Sequence, residues 1–185
     1  MRCGEVIALQ WKHVDLRGGT IHVEQSITSY GEVKDPKSDA GKRDVSIDAK
    51  TVGHLTRWQA FQVEEMALLG LRQGNDTPVC CSDKAEYLRF NNFSRWWRAF
   101  CADNGFSGLK FHELRHTQAT QLIATGMDIK TVQNRLGHAS PTLTVSFYAH
   151  ALPENDQRAA ALIGNLFSQP AKADGRGEKS LRVAL

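Results

Sequence analysis

Residues 111–117 read Phe-His-Glu-Leu-Arg-His-Thr (FHELRHT), and two chemistries fit those letters. On a helix, His112 and His116 stand one turn apart with Glu113 beside them. That is the His-Glu-x-x-His pattern of a zinc hydrolase, two ligands and a water-activating carboxylate. The same turn also pairs His112 with Arg115, three residues apart and on one helical face. A His beside an Arg can address two oxygens of one phosphate, the Arg through its planar fork. The first reading predicts a peptidase and the second an enzyme acting on a phosphodiester.

The zinc reading fails at its next requirements. A catalytic zinc site needs a third protein ligand. In the extended pattern Gly and His follow His116 at fixed offsets, and here those places hold Ala119 and Leu122. Arg115 would also set a fixed positive charge against the cation. Asp128 or His138 could be offered as a third ligand, but no known spacing recommends either.

Outward from this stretch the chain reads as mainly helical. The 111–117 helix is expected to run to Gly126, a suitable C-terminal cap. Asp128 is placed to cap a following helix with Ile129, Val132 and Leu136 on its apolar face, closed by Gly137. Ser140-Pro141 opens another short helix, and residues 154–167 form a last amphipathic one. Upstream, Phe93, Trp96, Trp97, Phe100 and Cys101 repeat at helical spacing, which predicts a core stripe. A long helix spans 49–70, with Val52, Leu55, Trp58, Met66 and Leu69 as its apolar positions. Residues 77–82 (TPVCCS) read as a short strand. Residues 18–25 (GGTIHVEQ) and 42–48 (KRDVSID) read as an antiparallel pair around the polar loop 33–42. Residues 3–11 (CGEVIALQW) read as a helix with Val6 and Leu9 inward. The expected class is α+β, mainly α, with a small antiparallel hairpin or sheet.

Bulk properties restrict the function less. The 185 residues allow one domain with a sizeable core, and the net charge of +3, from 23 basic and 20 acidic residues, is only mildly basic. No apolar run is long enough to span a membrane and no signal peptide is evident, so a cytoplasmic protein is expected. The four Cys show neither disulfide nor zinc-finger spacing and are read as reduced thiols.

Four blocks in order give a sharper result. MRCGEVIALQWKHVDL (1–16) contains Arg-x-x-Glu, with Arg2 and Glu5. VKDPKSDAGKRDVSI (33–47) is a Lys-bearing hairpin. FHELRHTQAT (111–120) is a His-x-x-Arg box. LGHASPTLTVSFYAH (136–150) holds His138 and Tyr148. Together they resemble the catalytic domain of tyrosine recombinases, the phage integrase family. The resemblance implies a helical catalytic domain over residues 1–167, and 168–185 reads as a disordered tail. It implies site-specific recombination through a 3′-phosphotyrosyl intermediate, with Tyr148 as nucleophile. Arg2 and Arg115 would bind the non-bridging oxygens, and Lys37 would protonate the leaving oxygen. Lys34 and Lys42 are alternatives to Lys37. His112 would assist proton removal from Tyr148, and His138 would hydrogen-bond the phosphate. Glu5 would position Arg2 by a salt bridge, and His116 would serve structure.

No metal or cofactor is implied. The implied partner is double-stranded DNA, bound by a homotetramer that exchanges C-terminal helices, with accessory DNA-bending proteins and a nucleoid location in a bacterium. Family members carry a further helix and a DNA-clamping domain ahead of the first catalytic Arg, whereas Met1 directly precedes Arg2 here. The chain is therefore expected to be a fragment of weak activity, with Arg2 on a frayed end. A non-catalytic DNA-binding remnant and a type IB topoisomerase-like enzyme are the alternative functions.

Overall fold

The computed structural model describes residues 1–35 and 41–137. Contacts divide the chain at Ala151 and Leu152, and every described residue belongs to the first unit. The order is α1 (Cys3–Ile7), a 3-10 turn (Trp11–His13), β1 (Val14–Asp15), β2 (Thr20–Val23), β3 (Ser26–Ile27), β4 (Val33–Lys34) and β5 (Arg43–Ser46). Four helices follow, α2 (Ala49–Leu68), α3 (Phe90–Asp103), α4 (Phe111–Ala124) and α5 (Ile129–Leu136). This is the expected mainly α arrangement with small antiparallel sheets.

The expected strand pair forms. β2 lies between β1 and β5, with Ile21 opposite Val45 and His22 opposite Asp44. Alternation along β2 turns Ile21 and Val23 inward, where they meet Val45, Leu9, Trp11 and Val79 in one apolar cluster. β3 and β4 pair separately as a short hairpin. Residues 77–82 form no named strand. They touch the fold through single bridges, Gln10 with Pro78 and Cys81 with Tyr87.

Backbone hydrogen bonds from Trp11 N to the Thr77 carbonyl and from Val79 N to the Leu9 carbonyl hold that segment, and one side chain adds to them. Gln62, 3% exposed on α2, accepts from the Trp11 indole Nε1 at 2.6 Å and donates to the Pro78 carbonyl at 3.1 Å. Gln73 Nε2 also donates to Gln62 Oε1, at 2.7 Å. α2 anchors through Gln62, Met66, Leu55 against the apolar cluster and the Trp58 indole on the Val79 carbonyl, while Leu69, expected on the apolar face, is 56% exposed. The stripe of residues 3–11 differs in part: Leu9 is buried as expected, but Ile7 and Ala8 are fully buried and Val6 only half-buried.

α4 and α5 form the part of the fold that carries FHELRHT. Ala119 and Ile123 of α4 pack on Val132 and Leu136 of α5. Asp128 caps α5 by accepting from the Thr131 amide at 2.8 Å, and Gly137 ends it at φ +66°. Both ends match the sequence expectation. α5 in turn packs on β5, which brings the last turn of α5 close to the start of that strand.

Candidate functional site

Arg115 lies on the buried side of α4, four residues before Ala119 and eight before Ile123, so its side chain continues the apolar stripe toward the N-terminal turn. Its two terminal nitrogens are buried and have no hydrogen-bond partner among the described residues. Burial foremost, then the charge of Arg2, lowers its pKa to about 10. The group stays cationic at neutral pH. A desolvated cation with free donors is a prepared position for an anion, since an unpaired buried charge is otherwise expensive.

Arg2 is the second cation. Its side chain is 48% exposed and its Nη1 stands 3.0 Å from Glu5 Oε1. Its Nη2 donates to the Gly137 carbonyl at 2.8 Å. Glu5 also accepts from the Arg2 backbone amide at 2.7 Å, closing the first turn of α1. Arg2 is thus held at its backbone amide and at its guanidinium, unlike the frayed end expected from its position in the sequence. Helix capping and the Gly137 carbonyl supply the restraint.

Glu5 positions Arg2 as expected, but it has a stronger partner. Arg43 Nη2 lies 2.8 Å from Glu5 Oε2 and Arg43 Nη1 lies 3.1 Å from Oε1. Arg43 Nε also donates to the Arg135 carbonyl at 2.8 Å. Burial alone would raise the Glu5 carboxyl. The hydrogen bonds from Arg43 and then from the Arg2 amide outweigh it and hold the group below its ordinary value. Arg43 shares a strand face with buried Val45, but the partner that defines its role lies 38 residues away and leaves no signal in the local sequence.

His112 is exposed and lines a cavity of about 550 Å³ with Cys3, Trp97, Arg98 and Lys110. Cys3 adjoins Arg2 in the chain, so the His-x-x-Arg pair and the Arg-x-x-Glu turn flank one region. The His112 and His116 rings meet edge to face with centroids 5.4 Å apart. Glu113 is engaged elsewhere: its Oε2 accepts from the Lys110 amide at 2.9 Å and caps α4. Its carboxylate is a capping group here, and no cluster of three His, Cys, Asp or Glu side chains suited to a metal occurs among the described residues.

The structure brings Arg2, Arg115 and His112 to the junction of α1 and α4. Lys37, His138 and Tyr148 lie outside the described residues, as do the helices expected at 140 and 154–167 and the tail from 168. Lys34, one alternative to Lys37, is on β4 with its Nζ 2.6 Å from Glu32. Lys42, the other, is 3.9 Å from Asp35. No described helix is long and apolar enough to cross a membrane.

Comparison with known proteins places the chain in a family. The model of the phage integrase family matches residues 1–155. The ICEBs1 integrase of Bacillus subtilis is 35% identical over 169 residues, covering 90% of this chain and 46% of that protein. A XerC-like tyrosine recombinase of Caldanaerobacter subterraneus is 25% identical over 182 residues, at the same 90% and 46% coverage. The chain therefore spans about half the length of these curated relatives. In fold, it resembles the Tn1549 transposon integrase solved with circular intermediate DNA, with a TM-score of 0.63, 20% identity, and coverage of 90% of this chain and 56% of that one.

Proposed function

The chain belongs to the phage integrase family, and from that premise we propose that it cleaves and rejoins double-stranded DNA at a specific site through a covalent tyrosyl intermediate. One observation carries the reading: the buried Arg115 guanidinium, whose terminal donors are unpaired among the described residues, close enough to Arg2 to feel its charge. Two fixed cations and open donors are what an anionic phosphoryl-transfer transition state requires.

The chemistry then follows residue by residue. Tyr148 Oη bonds to the scissile phosphorus while the bond from phosphorus to the 5′ oxygen breaks. His112 takes the phenol proton, and Lys37 gives a proton to the departing oxygen. Arg2, Arg115 and His138 hold the non-bridging oxygens. The phosphotyrosyl bond conserves the energy of the phosphodiester, so rejoining needs no nucleotide. The side-chain cations supply the charge stabilisation in this scheme. DNA is the partner favoured by the DNA-bound state of the Tn1549 integrase, and a tetramer on DNA is the assembly that strand exchange calls for.

A nicked suicide duplex tests this. Wild-type protein is expected to form a covalent DNA adduct and Tyr148→Phe none. Adduct formation by both, or DNA binding with no adduct from either, would overturn the proposal; the second outcome would leave a non-catalytic DNA binder.

A further inference from the structure

We infer that Arg43 is a positioning residue for the phosphate site: it fixes Glu5, and through Glu5 the Arg2 guanidinium, against the carbonyl end of α5. The inference rests on the phosphodiester reading above and assigns a role to a residue outside its reacting groups.

Arg43 spends its donors on the protein. Two reach Glu5, one at each carboxylate oxygen, and Nε reaches the Arg135 carbonyl. Nη1 also donates to the Gly41 carbonyl at 3.1 Å. The side chain is 6% exposed, against 48% for Arg2. Arg43 thus presents no open face to a ligand, whereas the Arg115 terminal donors have no described partner. The two guanidiniums divide the work, one with four of its five N–H donors bound within the protein, the other left for the substrate.

The contacts join three distant parts of the chain. Residues 2–5 carry Arg2. Gly41 follows the stretch that contains Lys37. Arg135 and Gly137 end α5, and His138 comes next. Glu5 lies between Arg43 and Arg2 as a shared carboxylate, and both cations also grip the last carbonyls of α5. Moving any one segment pulls on Arg2.

An apolar group would serve folding alone at least as well, because a buried ion pair rarely outdoes a packed hydrophobe in stability. What the pair adds is a defined position. A planar fork fixes both carboxylate oxygens and a carbonyl at once, which an ammonium on a flexible stem cannot do. The removal of Arg43 would also leave Glu5 without its strongest opposing cation, so its carboxyl would titrate at higher pH.

The test uses the full chain, the nicked suicide duplex, and the variants Arg43→Lys and Arg43→Gln. Adduct rates per folded molecule are measured across pH, beside thermal melting and DNA retention. Arg43→Lys is expected to fold and to retain DNA like wild type, yet to form adduct about 10- to 100-fold more slowly, the cost of a small misplacement of a reacting group. Arg43→Gln is expected in addition to move the acid limb of the rate profile to higher pH. Should Arg43→Gln fail to fold, Arg43→Lys alone decides. Rates within about threefold of wild type for Arg43→Lys, where misplacement predicts more, overturn the inference, as does an unmoved acid limb in a folded Arg43→Gln. Absence of a Tyr148-dependent adduct from wild type overturns the phosphodiester reading itself, and this inference with it.

Discussion

Arg115 carries a full charge where water solvates it poorly, and its terminal nitrogens are unpaired among the described residues. Such a group lowers stability for the sake of binding, a trade common at functional sites. Arg115→Gln is therefore expected to leave stability unchanged or raise it by about 0.5–2 kcal/mol. The same change should reduce adduct formation by about 100-fold or more, as loss of a transition-state donor does. Thermal melting and the suicide-substrate assay check the two halves, and a lower melting temperature would show that Arg115 has a structural partner. Much of this site is legible from spacing. His112 and Arg115 fall on one face because three residues make nearly one helical turn, and Glu5 caps Arg2 for the same local reason. Arg43 was not legible, because the pairing that defines it runs from β5 to α1.

At the scale of elements, α1 approaches the sheet so closely that one residue must lack a side chain. A Cβ on Gly4 would collide with the Ile27 carbonyl oxygen of β3 and lie 2.6 Å from Ser26 Oγ. Gly4→Ala is expected to destabilise the protein by about 1–3 kcal/mol, the usual cost of overpacking, and to displace Arg2 two residues away. Urea unfolding measures the first effect; a loss below about 0.5 kcal/mol, within the range of surface changes, would mean that α1 can shift freely. α3 shows the opposite limit of local patterns. Its aromatic stripe predicts a buried face, and Phe93 and Cys101 are indeed buried. Trp96 and Phe100, on the same stripe, are 55% and 44% exposed and stack on each other at 5.4 Å. Periodicity chooses the face of a helix, but how much of that face is covered depends on which neighbour lies over it.

Across the whole molecule, Glu5 ties stability to acid through the site itself. Its folded pKa is depressed from the ordinary 4.5 because Arg43 and the Arg2 amide outweigh burial. A depressed carboxyl contributes stability that is fully present above its unfolded value and is lost as pH falls through the folded one. The loss therefore lies below the ordinary carboxyl range. Glu5→Gln is expected to be less stable at neutral pH and to show a flatter acid limb. Urea melts at a series of pH values would reveal it, and an identical acid dependence in both proteins would rule Glu5 out as the titrating group. The protonated carboxyl would also release Arg2 and Arg43 together, so this transition is expected to coincide with loss of adduct formation.

The sequence by itself determined the mainly helical class, the helix ends at Gly126, Asp128 and Gly137, the antiparallel pair from 18 to 48, and the four ordered blocks that mark the family. Each of these is local, set by turn geometry, capping or spacing along the chain. Only the tertiary structure decided that Arg43 shares Glu5 with Arg2, that Arg115 is sealed without a described partner, and that Gln62 anchors residues 77–82. Burial and long-range pairing create those properties, and both depend on neighbours that the chain brings together only by folding.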